Sequence, residues 1–239
     1  MLGEWGPNGA RVVNSDWDAP LRWDRAAATA GERRRVFPSL CDPFEDRPDL
    51  DRPRGFFLGL IRRTPHLDWL TLTKRPRNIK KLIDRAHVDI DTFAWARRWL
   101  DGDPPANLWI GVSVEDQARA DERIPTLLKI PAALRWLSVE PLLEPLDLTP
   151  WLGSGGIGWV VVGGESGKGA RPCDLAWVRS IRDQCKAAGV PVFVKQLGSR
   201  PMASDVPILG ATSPIRLRNP KGGNPAEWPA DLGVREFPR

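Results

Sequence analysis

Six short apolar runs, spaced by stretches of helical periodicity, constrain this chain more than any other feature of its sequence. They are Arg35–Leu40, Trp69–Thr73, Leu108–Ser113, Leu134–Val139, Trp159–Val162 and Val190–Val194. None shows the clean alternation of a strand with one wet face. A short unbroken run suits a strand covered on both faces, because neither row of side chains meets water. Strands of that kind, joined by helices, pair in parallel through right-handed crossovers. The pattern predicts an α/β fold built as a (β/α) barrel of about six parallel strands. That is too few to close, so a partial, open TIM-type barrel is expected. The barrel is assigned residues 1–198. Residues 199–239 are rich in Pro and Gly, lack a long periodic segment, and are expected as an irregular extension packed on the same domain.

The connections carry their own signals. Phe56, Phe57, Leu60 and Ile61 give one apolar face, and Thr64-Pro65 stops that helix. Ile79, Leu82 and Ile83 repeat the spacing. Phe93, Ala96 and Leu100 predict a further helix, with Trp95 and Trp99 one turn apart. Asp116–Leu128 reads as a charged helix that ends on apolar residues. The clearest helix is the last: Asp174 is placed to N-cap it, Leu175, Val178, Ile181 and Cys185 form its buried stripe, and Gly189 ends it. Between Val139 and Trp159 the prolines and glycines predict a loop with one short turn.

No apolar run approaches the roughly 18 residues of a membrane helix. The first residues carry no apolar signal stretch, so a cytoplasmic protein without a membrane partner is expected. Cys41, Cys173 and Cys185 lack the spacing of a zinc ribbon or a ferredoxin-type cluster and are expected as reduced thiols, not metal ligands. A net charge of +5 permits a phosphate-bearing partner without demanding one.

In a parallel barrel the C-terminal strand ends share one face, where active sites sit. Each run here exits onto polar residues: Cys41-Asp42, Lys74-Arg75, Ser113 with Glu115, Glu140, Gly163-Gly164-Glu165-Ser166 and Lys195-Gln196. Any strand leaving a core turns polar, which accounts for one or two of these. Charge at all six exits points to a functional rim. Glu115, Glu140 and Lys195 are the candidate acid–base groups. The segment Gly163–Pro172 combines a strand exit, four glycines and charges of both signs. Its glycines let a ligand approach the backbone closely. Glu165 suits an amine, whereas Lys168 and Arg171 suit phosphate or carboxylate. Gly163, Gly164, Glu165, Ser166, Lys74, Arg75 and Arg171 are therefore the candidate ligand-binding residues. The segment is not a P-loop, because the Gly-Lys-Ser/Thr ending is absent. His66 and His87 are expected at the surface.

The strings TLTKRP, WIGVSVEDQ, RWLSVEPLLEPL, WVVVGGESGKGARP and VPVFVKQLG, with the ending NPKGGNPAEWPADLGVREFP, carry a resemblance. They resemble an uncharacterised phage and bacterial family typified by the mycobacteriophage gene products 37 and 68. The likeness runs from Gly3 over nearly the whole chain. That family is similar to the radical S-adenosylmethionine (SAM) enzymes, which implies a radical-SAM-like partial barrel. Its members open with a strand and a loop of three closely spaced cysteines. In radical SAM enzymes such a loop holds a [4Fe–4S] cluster, and the cluster holds the amino and carboxylate groups of SAM.

This chain has no three-cysteine loop, and its opening resembles the stretch that follows one. The resemblance therefore implies a chain that is N-terminally incomplete relative to the family, through a late start or a truncated gene; a naturally cluster-free relative is the other explanation. SAM and the cluster are then cofactors of a full-length form and are not expected here. Gly163, Gly164 and Glu165 look like the Gly-Gly-Glu segment that contacts the SAM amino group, though on a late strand. Three functions stand side by side. One is a radical-SAM-like enzyme, or its remnant, of unknown substrate. Another is a cluster-free (β/α)-barrel enzyme that binds a phosphate or nucleotide. The last is a non-catalytic nucleic-acid-binding phage protein using Lys74, Arg75, Arg77, Lys80, Lys81 and Arg171.

Overall fold

The computed structural model describes residues 16–39, 41–86, 89–204 and 213–238. The chain enters through α1 (Ala19–Ala30), β1 (Arg34–Val36), α2 (Asp51–Arg63), β2 (Leu67–Thr73), α3 (Ile79–Arg85) and α4 (Ile90–Leu100). It continues through β3 (Leu108–Ser113), α5 (Gln117–Leu128), β4 (Leu134–Val139), β5 (Trp159–Gly163), β6 (Cys173–Asp174) and α6 (Leu175–Ala187). It ends with β7 (Val192–Gln196), β8 (Pro201–Ala203) and β9 (Ser213–Pro214). Strands β1, β2, β3, β4, β5 and β7 lie side by side in that order, and every pair is parallel. The sheet curls into a half-barrel, which is the open (β/α) barrel expected from the sequence.

The alternation of side chains across a strand sorts these residues onto two faces. Leu108, Ile110 and Val112 of β3, Leu137 and Val139 of β4, and Val160 and Val162 of β5 point outward into the helix-covered core. Leu70, Trp109, Trp136, Trp159 and Val161 point the other way and make a second, aromatic cluster on the concave face. Trp136 lies across Gly111, where an added Cβ would stand 2.3 Å from the indole. Trp159 packs against Trp136 and Phe237 with ring centroids 5.4 Å away in each case. The strands read as covered on both faces because aromatic side chains, not helices, fill the inner one.

The helices follow their local signals. Asp89, Asp116 and Asp174 each accept a backbone N–H at the start of α4, α5 and α6, with Thr92, Arg119 and Ala176 as donors. Gly189, at φ 67°, follows α6 in the left-handed region that favours glycine.

Four strands differ in their bounds from the sequence expectation: β2 begins earlier, at Leu67, β5 runs on to Gly163, and the first and last differ more. The first run is a three-residue edge strand, not a buried one: Arg34 and Arg35 are exposed, and Leu40 lies outside the described residues. Its inward residue, Arg35, stacks on the rings of Trp109 and Phe237 at 5.6 and 4.4 Å. Apolar composition therefore overstated its burial. The last strand starts at Val192 because Pro191 has no N–H for the ladder; its carbonyl accepts from Val160 N at 3.2 Å.

Part of the segment expected to be irregular is strand. β6, β8 and β9 form a small second sheet. Further on, Val194 N donates to Val234 O and Glu236 N to Val192 O, both at 2.9 Å, so the tail runs antiparallel along the edge of β7. No helix among the described residues is long and apolar enough to cross a membrane.

Candidate functional site

The inward row of each strand climbs from the aromatic layer to a polar rim. On β3 the row runs Trp109, Gly111, Ser113 and then Glu115; on β4 it runs Trp136, Ser138 and then Glu140. Ser113 and Ser138 are register partners, so their side chains sit beside each other on the concave face. Both are buried, at 4% and 5% exposure, yet among the described residues neither hydroxyl has a hydrogen-bond partner. The Trp136 Nε1 donor on the same face is fully buried and unpartnered, whereas the two hydroxyls keep access to solvent. A buried donor without a partner costs roughly 1–3 kcal/mol, so the indole N–H and the two free hydroxyls beside it mark a polar patch open to a ligand.

Ion pairs ring this patch. Glu115 is buried and shared by Lys74 and by Arg123 Nη1, the latter at 2.9 Å. Arg123 also donates to Ser113 O at 2.7 Å, which fixes the chain just below Glu115. Lys195 Nζ meets Glu140 at 2.9 Å. Arg75 meets Asp42 at 2.6 Å. Arg171 makes a forked contact with Glu165, Nε at 2.8 Å and Nη2 at 2.9 Å, and its own backbone N–H adds a third bond at 2.8 Å. These three bonds pull the Glu165 carboxyl down to about 2, the side-chain contact contributing most. The Arg171 guanidinium is held above its ordinary value first by Glu165 and, further off, by Glu115, which puts the loop within electrostatic reach of the β3 exit.

Glycines bring the backbones of this region together. A Cβ on Gly163 would stand 3.0 Å from Gln196 O and 3.4 Å from the Glu140 carboxylate. Gln196 braces the loop from both ends, its carbonyl accepting from Gly164 N at 3.1 Å and its Nε2 donating to Gly164 O at 2.9 Å. Gly198, at φ +84°, passes so close that a Cβ would fall 2.7 Å from Glu165 O. Ser166 is exposed at the loop surface.

The cysteines do not converge. Cys41 is exposed, whereas Cys173 and Cys185 are buried. Burial pushes both buried thiols up to about 12, so they stay protonated and are poor metal ligands. No group of three or more His, Cys, Asp or Glu among the described residues could hold a metal ion. A cleft of about 200 Å³ opens at the β2 exit, lined by Lys74, Arg75, Pro76, Arg77, Asn78, Glu122 and Arg123. A larger one, about 520 Å³, lies on the helix layer between Arg62 and the Asp91–Arg98 face of α4, away from the strand ends.

The chain matches, over residues 4–217, the family described as "Protein of unknown function (DUF5131)". It belongs to that family. No curated protein and no solved structure matches it. Within this DUF5131 chain, Lys74, Arg75, Glu115, Glu140, Glu165 and Lys195 lie at or just beyond the C-terminal ends of the parallel strands, and Asp42 and Arg171, farther along their loops, are joined to this rim by ion pairs with Arg75 and Glu165. Sequence reasoning missed Arg123 and Ser138. Arg123 lies within a charged helix and carries no local mark; Ser138 was hidden inside an apolar run, where its register with Ser113 alone gives it meaning. His66 is exposed beside Asp24, and His87 lies outside the described residues.

Proposed function

We propose that the concave mouth of this half-barrel binds a small ligand that carries neighbouring negative and positive groups, as the amino-acid end of SAM does. The single observation that carries this reading is the unpartnered Ser113–Ser138 pair held between two lysine–glutamate pairs. A ligand carboxylate would take the two hydroxyls and a lysine. A ligand ammonium would take Glu115 or Glu140. Each partner released by the ligand finds a new one, so neither charge is left buried alone. The likeness to phage gene products 37 and 68 and to radical SAM enzymes makes SAM the first ligand to test; when bound, its sulfonium supplies an activated carbon for transfer or cleavage. The same reading places the protein in the cytoplasm, where its thiols stay reduced.

The described residues do not fit an iron–sulfur cluster, since one exposed and two buried, protonated thiols offer no converging set. A second reading, a phosphate or nucleotide ligand, is favoured by the cleft beside Lys74, Arg75 and Arg123. Calorimetric titration with SAM, methionine, adenosine monophosphate and inorganic phosphate separates the two. The first reading expects binding of SAM or methionine that falls at least about tenfold in Ser113→Ala/Ser138→Ala, in line with a lost charge-assisted hydrogen bond. Binding of the phosphate compounds alone would replace it with the second, and no heat from any of the four would remove both.

A further inference from the structure

Most of the cations that the sequence offers to a nucleic acid are already spoken for. Lys74 pairs with Glu115, Arg75 with Asp42, Arg77 with Glu122, Lys81 with Asp46 and Arg171 with Glu165. A polyanion docking on them would have to displace those carboxylates. Cations without such partners gather elsewhere, around Ser199. Its N–H donates to Glu165 O at 2.8 Å; its Oγ accepts from Gly167 N at 2.9 Å and donates to Pro220 O at 2.6 Å. One serine thus pins the loop after β5, the chain after β7 and the tail at one point.

Lys168, Arg200 and Lys221 are the chain neighbours of Gly167, Ser199 and Pro220 respectively. Arg216 joins them, because Ile215 N donates to Pro201 O at 2.9 Å and so sets Arg216 beside the start of β8. All four side chains belong to exposed residues, and among the described residues none has a carboxylate partner. Glu165, the acidic side chain of this junction, is taken up by Arg171. We propose that Lys168, Arg200, Arg216 and Lys221 form a docking edge for the phosphate backbone of a nucleic-acid strand, running past the mouth.

Unpaired cations bring their full charge to phosphate and release the condensed counterions, which drives such binding. Arginine grips phosphate through a planar fork and lysine acts as a point charge, so the edge holds two of each. The hydrogen bonds at Ser199, with that from Ile215 to Pro201, hold the backbones that bear them, which lowers the ordering cost of docking. The edge is independent of what fills the mouth.

Fluorescence anisotropy with labelled single-stranded and duplex oligonucleotides, over a range of salt, tests it on the full chain. The double variant Arg200→Glu/Lys221→Glu is compared with Lys80→Glu/Lys129→Glu, an equal charge change at exposed lysines on α3 and after α5. Binding is expected to fall at least about tenfold in the first and to change little in the second, with a flatter salt slope in the first alone. Thermal melting of both shows that each is folded, and Arg200→Gln/Lys221→Gln repeats the test if the first is not. Equal losses in the two doubles would reduce the effect to net charge and overturn the edge. So would the absence of oligonucleotide binding at low salt, or equal competition by inorganic phosphate at matched ionic strength.

Discussion

Glu165 and Arg171 show what one residue pair does to the rim. The pair holds the Glu165 carboxyl near 2 against an ordinary value of 4.5. A carboxyl whose pKa is lower in the folded state stabilises that state above its unfolded value, and the contribution fades as pH falls from 4.5 towards about 2. Arg171→Ala is expected to return the Glu165 titration to the ordinary carboxylate range and to lessen the loss of stability over that window. Side-chain NMR during an acid titration reads the first and melting at several pH values reads the second; an unmoved titration would mean that the pair is not formed in solution. The cysteines give a second residue-level expectation. Cys173 and Cys185 are 1% and 0% exposed, and their thiols are pushed up to about 12. Neither should react with a thiol reagent at neutral pH until the chain unfolds. Two or more fast-reacting thiols in the native protein would contradict the buried packing of α6.

Among the elements, the central strands were the most legible. Leu108–Ser113 and Leu134–Val139 have in the structure the bounds that their apolar runs predict, because both faces of β3 and β4 are covered. The edges were less so: Arg34–Val36 gains one neighbour only, and its cations lie over rings that no local pattern announces. α1 carried no usable signal, since Pro20 and Ala27 are its only buried residues. Strand exits could be read from where apolar runs stop, but which charges neutralise each other depends on register and helix placement, as Arg123 reaching Glu115 from α5 shows. Gly111 tests the concave packing of β3 and β4. A methyl there would meet the Trp136 ring at 2.3 Å, so the indole must move. Gly111→Ala should cost about 1–3 kcal/mol, typical of overpacking. It should also change tryptophan fluorescence and near-ultraviolet dichroism. Unchanged spectra and an unchanged melt would show that the indole does not lie on Gly111.

At the scale of the molecule, an open half-barrel has two edges, and an unpaired parallel edge is a template for pairing with another chain. The structure treats the two differently. β1 is short and bears exposed arginines, which discourage pairing by charge and length. β7 is covered by the tail. Two backbone bonds join Val234 and Glu236 to β7, Trp159 Nε1 donates to Glu236 O at 2.9 Å, and Phe237 closes over the Trp159 and Phe193 rings. Removing residues 234–238 takes away these three bonds, together with the longer contacts of Val192 N to the Glu236 carboxylate, Arg235 to Lys195 O and Arg35 to Pro238 O, and leaves the Trp159 indole N–H without its acceptor. At about 1 kcal/mol for each of the three shorter bonds the loss is at least about 3 kcal/mol before any change in ring packing. For a domain of this size that corresponds to a fall in melting temperature on the order of 5–10 °C. The bared β7 edge should also make the shortened chain self-associate. Calorimetry and light scattering of the shortened chain beside the full one measure both effects. A shortened chain that melts with the full one and stays as dispersed would mean that the tail does not close the sheet, and that β7 is protected some other way.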